Sequence, residues 1–294
     1  MKETTKILIA GPWVGEFGWE LFAWQGYIRS LASEFDKVVC IGRPGHDILY
    51  EDFVDTYIPH YIYEVGACDS FFIHNYKFTM EHIDYEPKKG HINTYLFPFR
   101  IGAPPHTHFL EKVHLQNSPV RIIGPNLNEM KSVDLGFHAP SYVSYGTKKN
   151  TGVDLLFHAR HRLDVRPEFN WSISNWEKIY KHFNNLGYNI GCIGTTKDSL
   201  CVEGTQDLRG LELREVVDYI ASAKAIIGPS SGPMHLAALC KCPQIVWSVE
   251  RDKRRYKINW NPHRTPVCFM GQHKWDPPVD YVIRKAEDFL ATLS

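Results

Sequence analysis

An excess of charge of one sign is missing from this chain. Lys plus Arg and Asp plus Glu number 33 each across 294 residues, so the formal net charge at pH 7 is zero. A neutral chain has no bulk field to hold nucleic acid or an anionic membrane, which leaves only local patches for such partners. Long apolar runs are missing too. No stretch reaches the roughly 20 apolar residues that a spanning helix needs. The opening residues, Met-Lys-Glu-Thr-Thr-Lys-Ile, contain no signal-peptide core. These absences predict a cytoplasmic protein without stable membrane insertion, meeting any membrane-bound acceptor from the inner face. Cysteine is sparse, with seven residues and no paired spacing of the zinc type. Cys240 and Cys242 are too close together, and too isolated from other Cys or His, to start such a site. His106 and His108 bracket Thr107 in a Pro-rich stretch without a third ligand. Free thiols in a reducing compartment are expected, and no metal. The chain also has no complete G-x-G-x-x-G fingerprint, internal repeat or low-complexity tract.

What is present is an ordinary globular composition, 44% hydrophobic and 22% charged. The length suits one large domain or two of about 140 residues. Eight Trp and fifteen Tyr are read mostly as core. Apolar runs are short and separated by glycine and proline. Residues 6–10 have a buried-strand pattern, 11–15 turn, and 20–32 have helical spacing with Leu21, Trp24, Ile28 and Leu31 on one face. Residues 37–41 are the next strand, completing a βαβ unit of the kind that builds parallel sheets. Residues 56–59, 61–65 and 119–124 are further candidate strands. Residues 81–95 read as loop, 101–108 as irregular, and 131–150, rich in Ser, Gly, Pro and Lys, as an interdomain linker. Strands then recur at 153–159, 188–193, 225–227 and 244–248, and helices at 175–186, 213–223 and 279–293. The predicted fold class is α/β, with two doubly wound parallel sheets.

One stretch carries three signals. In residues 226–239, Ile-Ile-Gly-Pro-Ser-Ser-Gly-Pro-Met-His-Leu-Ala-Ala-Leu, a buried strand ends and residues 228–233 must turn. A helix then starts, with Pro233 in its first turn and Ser231 or Gly232 near the N-cap. Strand, tight turn and helix N-terminus make an anion site from backbone N–H groups and the positive end of the helix dipole. Ser230 and Ser231 add hydroxyls, and His235 can face the same spot. Local shape alone leaves this balanced against an ordinary βα turn. Residues 158–167, His-Ala-Arg-His-Arg-Leu-Asp-Val-Arg-Pro, place three Arg within seven positions after a strand. Guanidinium groups bond phosphate oxygens in pairs, so the run suits a diphosphate, or else it is a solvated loop. The basic run at 251–255 is as readily an exposed turn as a phosphate contact. Residues 15–22, Gly-Glu-Phe-Gly-Trp-Glu-Leu-Phe, put Glu16 in the first βα turn and Glu20 just inside the helix. Either carboxylate can be a general base or a complement to the helix dipole.

Residues 207–239 resemble the donor-binding region of the heptosyltransferase-like glycosyltransferases, the ADP-heptose:LPS heptosyltransferase type. Their pattern ends in DSGPMHLAAA, and residues 231–238, Ser-Gly-Pro-Met-His-Leu-Ala-Ala, match it closely. The resemblance covers 153–267 well and the first βα loop moderately, and fades between 54 and 150. It implies a GT-B fold, two Rossmann-like domains facing a cleft. The acceptor domain would be 1–150, the donor domain 151–278, with a helix at 279–294 packing back on the first domain. It implies a nucleotide-diphosphate sugar as co-substrate, no separate cofactor, and metal-independent inverting transfer to a hydroxyl acceptor. That acceptor would be a glycan, a lipid-linked saccharide, a protein or a modified nucleic acid. Donor contacts would come from Gly15, Arg160, Arg162, Ser230, Ser231, Gly232, Pro233 and His235, with Arg166 in reserve. The family's Gly-Asp in its first loop maps its base onto Glu16, with Glu20 one turn further on as the other choice. One departure is Ser230, where the family usually has an acid near the donor. Two alternatives stand beside this reading. A sugar-nucleotide epimerase or hydrolase would release an epimer or free sugar without an acceptor. A non-catalytic nucleotide-sugar binder would lose nothing on Glu16→Gln.

Overall fold

The computed structural model describes residues 5–11, 13, 16–59, 120–123, 140–163 and 166–293. The chain divides into two compact units, Met1–Ser141 and Tyr142–Ser294. The first contains β1 (Ile7–Ala10), α1 (Phe17–Trp19), a π-helical turn (Glu20–Trp24), α2 (Gln25–Ala32), β2 (Lys37–Gly42), β3 (Thr56–Pro59) and β4 (Val120–Ile123). Its strands are parallel in the order β3-β2-β1-β4. β1 is buried along its whole length, as a strand covered on both faces must be. Gly11 follows it at φ 123°, and a Cβ there would lie 2.3 Å from the Ile41 carbonyl oxygen. Only glycine lets the chain turn that close to β2. The helix predicted from 20 begins at Phe17 and is buried nearly all round, with Phe22, Ala23 and Gln25 as hidden as Leu21 and Ile28. Its π turn offsets the face that a regular 3.6-residue period assigns.

The second unit contains β5 (Leu155–Phe157), α3 (Ile173–Asn185), β6 (Ile190–Cys192), β7 (Gln206–Asp207), α4 (Leu213–Ser222), β8 (Ala225–Pro229), α5 (Gly232–Leu239), β9 (Gln244–Trp247), β10 (Val267–Met270) and α6 (Val279–Ala291). The strands run parallel in the order β10-β9-β8-β5-β6-β7. Counted from β5 this is the 3-2-1-4-5-6 order of dinucleotide-binding sheets, with the switch point between β5 and β8. Trp171, Trp176, Trp247 and Phe157 form a buried ring cluster with centroids 4.9 to 5.7 Å apart. The buried face of α6, Val282, Ala286 and Leu290, lies in the second unit's core with Ile179 and Phe183 of α3.

The division between the units falls inside the stretch expected as a linker, 131–150, and the described part beyond it is bonded to the second unit. The Tyr145 amide donates to the Leu239 carbonyl (3.1 Å), the Thr147 amide to Asp218 (2.8 Å) and the Lys149 amide to Ser222 (2.9 Å). These bonds strap the segment to α4 and α5. The candidate segments at 61–65, 81–95 and 101–108 lie outside the described residues. The six described cysteines are free thiols, with Cys40, Cys192, Cys240 and Cys242 buried. Among the described residues no helix is long and apolar enough to cross a membrane.

Candidate active site

The switch point of the second sheet brings the two strongest sequence signals together. His158 directly follows β5, β8 ends at the turn before α5, and the His158 amide donates to the Ile227 carbonyl (3.0 Å). Gly228 permits this approach, since a Cβ there would stand 2.9 Å from the His158 carbonyl oxygen. Ser231 is the N-cap of α5, in extended conformation, but its hydroxyl does not cap the helix. It lies 2.9 Å from His158 Nδ1. The first-turn amides of α5 are therefore left without a side-chain cap, the state that accepts an anion. The expected run of amides narrows, however. The Ser230 amide donates to the Trp247 carbonyl (2.9 Å), continuing the ladder, and Pro233 has no N–H. With the Ser231 amide bonded to Tyr256, Gly232 and Met234 remain.

The side chains of Ser230 and His235 are tied to Tyr256. The Tyr256 hydroxyl donates to Ser230 Oγ (2.8 Å), and its ring stacks on His235 at 4.5 Å with Trp260 edge-on to His235 at 4.7 Å. Burial, then the Arg255 guanidinium, pushes the His235 imidazole well below its usual pKa. Burial, helped by Arg162 and Arg160, takes His158 down to about 3. Both rings are neutral, so the positive charge here belongs to arginines.

Arg160 is buried, and its Nη1 donates to the Arg166 carbonyl (3.0 Å) and to Asn170 Oδ1. Its guanidinium lies over the Phe169 ring at 5.7 Å. Burial and the neighbouring Arg162 lower its pKa to about 10. Asn170 also accepts from the Arg162 amide (3.0 Å) and donates to the Arg162 carbonyl (2.6 Å). Arg160 and Asn170 thus shape the loop from within. Arg162 is half-buried, with Nε 3.8 Å from Asp198, and offers the more accessible guanidinium. Arg166 is exposed in a left-handed conformation, φ 50°. His158, Asn170 and Tyr256 were not singled out from sequence. His158 had one signal, its position directly after a buried strand.

In the first unit, Glu16 is the half-buried residue at the start of α1, and its carbonyl accepts the Glu20 amide (3.0 Å). Its side chain makes no capping bond. Glu20 is fully buried. Its Oε2 receives His46 Nδ1 at 2.8 Å, its Oε1 the Tyr50 hydroxyl at 3.0 Å, and Arg43 Nη1 lies 3.8 Å away. Burial pushes its carboxyl up, but His46, Arg43 and Tyr50 together outweigh that and hold it below the usual range. Glu20 is an ionised group fixed by its partners. Gly15 lies outside the described residues.

Residues 166–268 match the model of glycosyltransferase family 9 (heptosyltransferase). No curated protein matches the chain. Among solved structures, a glycosyl transferase family 9 protein from Veillonella parvula is 11% identical, with a TM-score of 0.56, covering 98% of this chain and 97% of its own. E. coli ADP-heptose lps heptosyltransferase II is 15% identical, TM-score 0.53, covering 98% and 99%. E. coli heptosyltransferase WaaC with ADP is 12% identical, TM-score 0.56, covering 96% and 99%. At such identities the structures establish the fold, the GT-B type with two Rossmann-like domains. The family match over residues 166–268, within the second unit, supports glycosyl transfer from a nucleotide sugar.

Proposed function

We propose that this glycosyltransferase inverts at the anomeric carbon, without a metal, and delivers the sugar to a hydroxyl of a glycan or lipid-linked saccharide. The donor diphosphate binds the first turn of α5 at the Gly232 and Met234 amides. Arg162 is its basic partner, and the hydroxyl of Ser231 is oriented by His158. The acceptor oxygen bonds to the anomeric carbon as the carbon–phosphate oxygen bond breaks. The electron pair leaves on the diphosphate, where dipole and guanidinium offset the charge. Glu16 takes the proton of the acceptor hydroxyl. The observation carrying the donor side is the 2.9 Å contact between Ser231 Oγ and His158 Nδ1, which joins the turn and the basic loop at one sheet edge. The choice of Glu16 rests on Glu20 being buried and committed to three partners.

ADP-heptose is the first donor to try, because a WaaC structure holds ADP-2-deoxy-2-fluoro heptose. Glu16→Gln should lower turnover by about 10² to 10⁴-fold, the usual worth of a general base. The rise in melting temperature on adding ADP-heptose should persist in that variant. Wild-type turnover in Glu16→Gln would remove this residue from the mechanism.

A further inference from the structure

Glu20 has no chemical role in that reading, yet its surroundings are more elaborate than a helix start needs. A carboxylate fully removed from water is costly to keep ionised unless well-placed partners offset it. Here they are His46, Tyr50 and Arg43. Glu20 also opens the π turn of residues 20–24, and single π turns recur at functional sites. His46 follows β2 at the edge of the first sheet where its ligands are expected. Its ring meets Phe17 edge-on at 5.3 Å, and Phe17 is the residue next to Glu16. The ring that His46 meets therefore belongs to the residue adjoining the proposed base in sequence. Nδ1 is tied to Glu20, while Nε2 has no partner among the described residues and the side chain keeps 19% of its surface. In the neutral ring a carboxylate on Nδ1 fixes the tautomer in which Nε2 presents a lone pair.

We infer that His46 Nε2 accepts a hydrogen bond from a second hydroxyl of the acceptor, next to the one Glu16 deprotonates, so that the acceptor at this subsite is a sugar ring with neighbouring hydroxyls. The inference rests on the role of Glu16 proposed above. A fixed lone pair rewards an O–H donor and offers nothing to a phosphate or carboxylate, which brings no proton. Glu20 is then a positioning residue acting through His46.

The test is long-range proton–nitrogen NMR on the full chain with labelled histidine, at pH 8. His46 is assigned by the signals lost in His46→Gln. Its ring should be protonated on Nδ1 alone, and the Nε2 signal should move on titration with at least one of methyl α-mannopyranoside, methyl α-glucopyranoside and methyl β-galactopyranoside. A ring protonated on Nε2, or an Nε2 signal that none of the three glycosides moves, overturns the inference. Glu20→Gln keeps the shape of the side chain and should let the proton pass to Nε2. An unchanged tautomer there would remove Glu20 as the positioning group. In kinetics, His46→Gln should raise the KM for a glycoside acceptor roughly tenfold, the value of one hydrogen bond, with donor KM unchanged. An unchanged glycoside KM counts against it. Failure of the donor reading shows separately, as wild-type protein that ADP-heptose does not stabilise.

Discussion

Two imidazoles sit where water does not reach. His158 and His235 are buried, and both have folded-state pKa values below the ordinary 6.5, that of His158 at about 3. As pH falls, the unfolded chain takes up these protons first. The stability held by the neutral rings is complete above pH 6.5 and is lost as pH falls toward the folded values. Each ring can contribute a slope of about 1.4 kcal/mol per pH unit. Urea unfolding at pH 7.5, 6.5 and 5.5 should show declining stability, with a shallower decline in His158→Gln than in wild type. Parallel lines for the two proteins would mean that His158 titrates normally. His235 was visible in the sequence as a first-turn residue, but its stacking partner was not. Tyr256 lies 21 positions on, in a π-helical turn (Arg255–Asn259) that has no simple periodic signature. Likewise the three arginines of the basic loop were legible as charge. Their division into an internal brace, Arg160, and an accessible group, Arg162, depends on Asn170 and the Arg166 carbonyl.

At the scale of elements, strand, turn and helix of the proposed donor site were legible because apolar run, glycine turn and helix start follow one another in sequence. β7 and β10 were not. β7 has only two residues, both exposed, and β10 is a half-buried edge strand without clear alternation. The helix after β1 was read from 20 with one apolar face, and its earlier start and all-round burial come from the π turn and the packing around it. The close approach of β5 and β8 is the feature on which the proposed donor site depends, and it rests on Gly228. Gly228→Ala would set a Cβ 2.9 Å from the His158 carbonyl oxygen and 3.3 Å from Met234 Sδ. Crowding of this kind in a packed core typically costs about 1–3 kcal/mol. Urea unfolding should register that loss, and a stability equal to wild type would show that the strands can part without penalty.

For the whole molecule, the two units have separate sheets, and α6 belongs to the core of the second. The buried thiols make this division measurable. Cys40 lies within β2 of the first unit, while Cys240 and Cys242 lie just beyond α5 in the second. Burial pushes all three thiols up, that of Cys242 to about 12. Thiolate is the reactive form, so alkylation must wait for local opening. Native-state labelling with iodoacetamide, read peptide by peptide, should give slow rates at these positions, with one rate for Cys40 and another shared by Cys240 and Cys242. A single common rate would mean that both halves open in one cooperative event. Three cysteines without a chemical duty thus act as clocks already installed in the native chain, timing each half's excursions without a dye, a tag or a mutation.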